Sequence, residues 1–276
     1  MFSIRDLLSL DDYAACLALQ EATWGVGFSE RVPTAILRVN QMIGGVTAGA
    51  FDDGTLLGFV FGMTGVRDGE LVHWSDMLAV REHLRGQGIG ARLKQYQREK
   101  VLALGVKSML WTFDPLQARN ANFNVNILGA MPVAYQPDMY GSNTGSALHG
   151  TLPTDRFIVK WDLHREDAHR SGEDAVPADD APLPMANPLA TDGLPIDTLM
   201  EMTPPPGAAG YRVQVPRDFT ALRTATPHGA LRWRMVVRGL LTTLFAQGYS
   251  VSAFRRTEGD TLPYYVLRQF TTTPVP

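Results

Sequence analysis

Apolar and polar positions change period several times along the chain, and each change marks an element. A short mixed run from Phe2 to Leu7 reads as a strand. It leads into a helix from Leu10 to Thr23, where Asp11 and Asp12 suit the positive end of the helix dipole. A second helix, Thr34 to Met42, follows a loop containing Trp24. The period then becomes two: Gly45 to Phe51 and Leu56 to Met63 flank the turn Asp52-Asp53-Gly54, a hairpin signature. Another turn, Arg67-Asp68-Gly69, feeds the strand Leu71 to Val80. Turns this tight make all three strands antiparallel.

Helical spacing returns from Gly88 to Leu104, with Gly105 as a left-handed stop. The strand Lys107 to Phe113 must run parallel to the one ending at Val80, because a helix crosses between them. After Asp114-Pro115 come a polar helix, Ala118 to Leu128, its stop at Gly129, and strands Val133 to Tyr140 and Arg156 to Leu163. From Arg165 to Gly210 the chain turns to Ala, Pro, Asp and Gly without sustained period, which reads as a linker or a segment laid over a surface. Beyond it, Tyr211 to Phe270 reads as strand, long helix (Ala221 to Gln247, with a start or break at Pro227), strand (Tyr249 to Arg256), turn (Glu258-Gly259-Asp260) and strand (Leu262 to Gln269). The expected division is a mixed α/β domain over 1–163, a linker over 164–210 and a β-α-β-β unit over 211–276. So small a unit is marginal alone and needs the first domain or a second subunit to cover it, so a homodimer is one expectation.

Composition narrows the function. The 276 residues are 45% hydrophobic and carry a net charge of −3, which gives no basic excess for nucleic acid. The single cysteine, Cys16, lies in an apolar helical pattern, so it reads as a buried structural thiol, with neither an internal disulfide nor a metal site. The N-terminus lacks a signal pattern and no apolar run reaches membrane-spanning length, so a cytoplasmic location with no membrane partner is expected.

The chemistry centres on Leu78-Ala79-Val80, Arg81 to Leu84, and Arg85-Gly86-Gln87-Gly88-Ile89-Gly90-Ala91. A glycine turn that opens a helix gathers backbone N–H groups at the positive end of the dipole, a cradle for an anion such as pyrophosphate. A triphosphate P-loop would need a Lys-Ser or Lys-Thr pair, which is missing. Gly86-Gln87-Gly88-Ile89-Gly90-Ala91 formally fits a dinucleotide fingerprint, with Asp114 beyond the next strand. However, Arg81 to Arg85 separate the glycines from their strand, and antiparallel strands come first.

The string Arg85 to Gly90 instead resembles motif A of the GNAT acyltransferases, [RQ]-x-x-G-x-[GA], and the order β-α-α-β-β-β-α-β-α-β-β matches that family. The resemblance implies a central mixed, splayed sheet flanked by helices and an acyl-coenzyme A cosubstrate. The N–H groups of Gln87, Gly88, Ile89, Gly90 and Ala91, with Gly86 shaping the turn and Arg85 beside it, would hold the pyrophosphate. The backbone of Leu78, Ala79 and Val80 would hold the pantetheine arm, with Asn120 and Asn124 either helping or capping their helix. The family's base lies on the strand before the glycines, where His73 and Asp76 are candidates. A regular strand points those two to opposite sides, so only a bulge would let both serve. The family's acid, a helical tyrosine, is replaced by Val125, which leaves Tyr140 as a substitute.

The wider pattern, from Asp114-Pro115-Leu116 through Arg119-Asn120-Ala121 and Tyr140-Gly141 to Trp161, resembles a long bacterial branch of that family with a C-terminal extension. Some members of that branch N-succinylate amino acids for a racemase of the enolase superfamily. Acetyl or succinyl transfer to a small primary amine, an amino acid among the options, is the function implied; a non-catalytic coenzyme A-binding module for regulation or assembly is the alternative. A succinyl or amino acid carboxylate would need cations, for which Arg156, Arg234 and Arg238 are candidates, with Asp114 at the mouth of the splay.

Overall fold

The structure is a computed structural model that describes residues 2–141, 144–146, 150, 152–164, 183–190, 193–195, 208–256 and 262–269. The elements, in order, are β1 (Ser3–Asp6), α1 (Leu10–Trp24), α2 (Thr34–Met42), β2 (Val46–Asp52), β3 (Thr55–Arg67), β4 (Glu70–Val80), α3 (Ile89–Leu102), β5 (Ser108–Phe113), α4 (Ala118–Ala121), β6 (Met131–Gln136) and β7 (Arg156–Asp162). Then follow β8 (Gly210–Gln214), α5 (Phe219–Ala225), α6 (Pro227–Ala246), β9 (Tyr249–Arg255) and β10 (Tyr264–Gln269). Seven strands form one mixed sheet in the order β1-β2-β3-β4-β5-β7-β6, and β8-β10-β9 form a second, antiparallel sheet. Among the described residues no helix is long and apolar enough to cross a membrane.

The chain divides into two compact units. The first comprises 1–111, 141–151 and 160–166. Both of its hairpin turns are Asp-Gly pairs with positive φ at each residue: Asp53 and Gly54 at 45° and 75°, Asp68 and Gly69 at 54° and 79°. These are the left-handed values a two-residue hairpin turn needs to match strand twist. Ser9 and Asp12 cap α1 reciprocally, and Asp12 also receives the Arg5 guanidinium at 2.6 and 2.9 Å. One core of this unit gathers Leu7, Tyr13, Cys16, Leu37, Phe59, Phe61, Met77 and Ala79, so the lone cysteine is a buried packing residue.

The ladder between β3 and β4 slips once. Phe61 pairs with Met77 and Gly62 with Ser75, so Asp76 is an extra residue, a β-bulge. His73 and Ser75, before the bulge, bond to side chains of α3. Met77 and Ala79, after it, enter the core that α1 shares. A one-residue insertion reverses which face each side chain takes, and here it lets one strand serve two layers.

The second unit comprises 112–140, 152–159 and 167–276. Phe157 anchors an aromatic cluster, with Tyr265, Phe113, Tyr135 and Phe245 centred 5.3 to 5.9 Å from its ring. Two sequence expectations are corrected here. The polar helix is only one turn of α4 followed by a π-helical turn, Asn122–Ile127; Asn124 donates its side-chain amide to the Asn120 carbonyl at 2.9 Å, which occupies an acceptor that α-helical bonding would have used. The strand expected to reach Tyr140 stops at Gln136, because Pro137 follows and Asp138 turns the chain with φ 48°. The break expected at Pro227 in the C-terminal helix is present: α5 and α6 meet at Thr226, and Pro227 opens the second.

Part of the expected linker is laid against β8: Met185 bridges to Arg212, and the Asn187 side chain bonds the Gln214 backbone at 2.7 and 2.9 Å. Residues 165–182, 191–192 and 196–207 of that linker, and the turn expected at Glu258-Gly259-Asp260, lie outside the described residues.

A Cβ on Gly62 would stand 2.4 Å from His73 Nε2, 2.6 Å from Gln97 Nε2 and 2.7 Å from the Trp74 carbonyl. Gly62→Ala is therefore expected to cost about 1–3 kcal/mol of stability in urea unfolding, as overpacking does. An unchanged midpoint would show that the bulge yields freely.

Candidate active site

β4 ends at Val80, a 3₁₀ turn spans Glu82–Leu84, and the glycine turn follows. Gly86 and Gly88 have φ of 89° and 80°, values that an L side chain resists. Gly88 is the N-cap of α3 and makes no side-chain cap, so no side chain at that position takes up the first N–H groups of the helix. A Cβ at Gly88 meets no atom within 4 Å, so any side chain there would project into open space. Arg85, Gly86, Gln87 and Gly88 are all exposed, while Ile89 is buried and fixes the helix on the sheet. Arg85 Nε donates to the Val80 carbonyl at 3.2 Å, which keeps its charge at the end of β4. A pyrophosphate fits this cradle in both charge and space.

Parallel pairing between β4 and β5 is confined, among the described residues, to His73↔Met109 and Trp74↔Leu110. Leu78, Ala79 and Val80 pair with Val60, Phe59 and Gly58 of β3 on one side only. Past Trp74, then, the β5-facing edge of β4 has no strand partner and can bond the amides of an extended arm.

The two candidate bases have different surroundings, and the bulge at Asp76 does not bring them together. Asp76 is exposed, and its carboxyl is held above the ordinary range because protein surrounds much of it, an effect to which the Glu30 carboxylate adds and which a hydrogen bond from the Trp74 side chain opposes. His73 is wholly buried. Its Nδ1 lies 2.9 Å from Thr64 Oγ1 and its Nε2 3.0 Å from the Gln97 amide nitrogen, so both ring nitrogens are engaged. Burial, with the Lys94 charge adding, lowers its pKa to about 3. His73 is thus a neutral interior residue and does not share the exposed position of Asp76.

The arginines expected to receive a carboxylate are occupied. In the second unit Arg234 forms a two-point pair with Asp114 at 2.8 and 2.5 Å, and Arg238 makes the equivalent pair with Asp155. Burial alone would raise the Asp114 carboxyl, but Arg234 and Arg156 together hold it below its ordinary value. Arg156 donates to the Asp155 carbonyl at 3.0 Å, lies 4.0 Å from Asp114 and faces the Tyr140 ring at 5.4 Å. Tyr140, in a turn, exchanges a hydrogen bond with Thr112 at 2.9 Å. Asn120 is exposed, and Asn124 serves its own helical turn.

Sequence reasoning passed over Trp74, Ser75, Lys94 and Gln97. The buried positions of α3 are Ile89, Leu93, Lys94, Gln97 and Val101, so two polar residues on an inward helical stripe were the available signal.

Residues 13–125 match the model of the acetyltransferase (GNAT) family. Solved structures similar to this chain include the NatC complex bound to Gag peptide and CoA (16% identity, TM-score 0.47, covering 58% of this chain and 98% of that one). The ribosomal-protein-S18-alanine N-acetyltransferase from Escherichia coli is another (16%, 0.46, 59% and 94%), as is an N-acetyltransferase from Staphylococcus aureus Mu50 (16%, 0.46, 59% and 99%). No curated protein matches the chain.

Because the folded pKa of His73 lies below its unfolded value near 6.5, the unfolded chain takes the proton first on acidification. Its contribution to stability is complete above that value and declines from about pH 6.5 to about 3, by up to about 1.4 kcal/mol per pH unit. Urea midpoints measured from pH 7 to 4 should therefore fall less steeply in His73→Gln than in the parent chain. Equal slopes would contradict this account of the ring.

Proposed function

We propose that this chain, whose residues 13–125 match the model of the acetyltransferase (GNAT) family, transfers an acyl group from acyl-coenzyme A to the primary amine of a small molecule. The observation that carries this reading is the uncapped, open N-terminus of α3, together with the unpaired edge of β4 from Ser75 onward. Backbone N–H groups from Gln87 to Ala91, with Arg85, would bind the pyrophosphate, and backbone groups of Leu78 to Val80 would bind the pantetheine arm. The bound cosubstrate supplies an activated thioester.

Asp76 is the base. A carboxylate held above its ordinary range, in reach of solvent, can take a proton from an ammonium group directly or through water, which frees the amine to attack. Tyr140 is the candidate donor of the proton that the departing thiolate needs. Its phenol already exchanges a hydrogen bond with Thr112, and the Arg156 guanidinium stands 5.4 Å from the centre of its ring. Acetyl is the donor that the side chains favour, because Arg234 and Arg238, which a succinyl carboxylate would need, are each neutralised by an aspartate. Val125, 8% exposed where the family places a tyrosine, supports the rival reading of a non-catalytic coenzyme A-binding module.

Turnover separates the two: thiol release is measured from acetyl- and succinyl-coenzyme A over a panel of amines that includes D- and L-amino acids. Release with some amine supports the enzyme; binding without release supports the module. Gly88→Asp should abolish the rise in melting temperature that acetyl-coenzyme A gives the parent chain, since it puts a side chain and a negative charge into the cradle. Asp76→Asn should lower kcat by about 10²-fold or more while leaving that rise intact, and unchanged kcat would remove Asp76 as base.

A further inference from the structure

Lys94 is 2% exposed, and among the described residues no carboxylate pairs with it. Its Nζ donates to Ser75 Oγ at 2.6 Å, lies 3.9 Å from Met109 Sδ and stands 3.8 Å from the centre of the Trp111 ring. Ser75 and Trp111 are the residues that immediately follow the last parallel pair, Trp74↔Leu110. One amine from α3 therefore touches both strands at the point where they stop pairing.

The bonds continue in a single direction. The Ser75 hydroxyl donates to Gln97 Oε1 at 2.8 Å, and the Gln97 amide donates to His73 Nε2 at 3.0 Å. That leaves the His73 Nδ1–H to donate to Thr64 Oγ1 at 2.9 Å, whose hydroxyl donates to the Gly44 carbonyl at 2.8 Å. Lys94 and Gln97 stand three residues apart on one face of α3, and Gly62 leaves the space in which the His73–Gln97 bond forms. Burying an amine without a counter-charge is costly, and methionine would fill similar space without that cost. The amine's hydrogen bonds thus serve something other than packing.

On the acyltransferase reading above, we infer that Lys94 and Gln97 are positioning residues for acyl transfer. From α3 they hold Ser75 and His73, and through them the bulge that presents Asp76, at the fork between β4 and β5. The helix whose N-terminus cradles the phosphates is thereby keyed to the strand that carries the base.

The test is Lys94→Met in the full chain, followed by amide hydrogen exchange, acetyl-coenzyme A binding and turnover. Exchange at Asp76, Met77 and Leu78 is expected to quicken at least about tenfold, while β2 is unaffected. kcat should fall by about 10- to 100-fold with the dissociation constant for acetyl-coenzyme A within about threefold, as expected when a reacting group is misplaced and the cradle is intact. The melting temperature should hold or rise. Unchanged exchange and kcat in the folded variant overturn the inference, and so does a fall in kcat matched by equal weakening of cofactor binding. Ser75→Ala, which removes the same link from the strand side, carries the same expectations and stands in if Lys94→Met does not fold. If the parent chain turns over no acyl-coenzyme A, the acyltransferase reading fails, while the exchange rates still decide whether Lys94 pins the bulge.

Discussion

One extra residue in β4 sets the terms for the rest of the first unit. Without the slip at Asp76, alternation would carry His73, Ser75, Met77 and Ala79 to the same face, and the helix layers could not divide them as they do. The bulge turns the polar pair toward α3 and the apolar pair toward the core of α1. It also puts Asp76 where a carboxylate can meet solvent, beside the stretch of β4 that β5 leaves unpaired. The change of layers and the exposed Asp76 carboxyl thus meet at one local irregularity.

Buried polar groups are satisfied in two ways. Carboxylates meet an arginine in a two-point pair: Asp12 with Arg5 in the first unit, and in the second Asp114 with Arg234 and Asp155 with Arg238, the latter also receiving Tyr135. Removing one partner of such a pair strands the other, so these arginines hold the fold and are poor candidates for transient ligand capture. Lys94 of the first unit instead has no carboxylate partner among the described residues; burial pushes its pKa well down, and its amine relies on a chain of neutral hydrogen bonds and a ring face. The helix that bears it begins where left-handed glycines and an N-terminus without a side-chain cap coincide.

Much was legible before any coordinates. The order of elements through β7, both Asp-Gly hairpin turns, the stop at Gly105 and the glycine cradle all follow from local rules, since turn dihedrals, helix termini and residue period are properties of a few adjacent residues. The failures are equally specific. The π-helical turn at Asn122–Ile127 has the composition of an ordinary polar helix, and nothing local distinguishes an i to i+5 bond from an i to i+4 bond. The end of β6 falls short of the expected Tyr140 because Pro137 and the left-handed Asp138 interrupt the run before Met139 and Tyr140.

The sequence by itself determined where left-handed glycines open a helix, because turn dihedrals and helix termini are properties of a few adjacent residues. It could name His73 and Asp76 together, and could offer Arg234 and Arg238 as free cations, yet it could not say which of them were available. Only the tertiary structure decided that His73 is sealed between Thr64 and Gln97, that Asp76 stands outside, and that both arginines are already paired with aspartates 120 and 83 residues away along the chain. The reason is physical: backbone conformation is set by neighbours in sequence, whereas desolvation and charge pairing are set by neighbours in space.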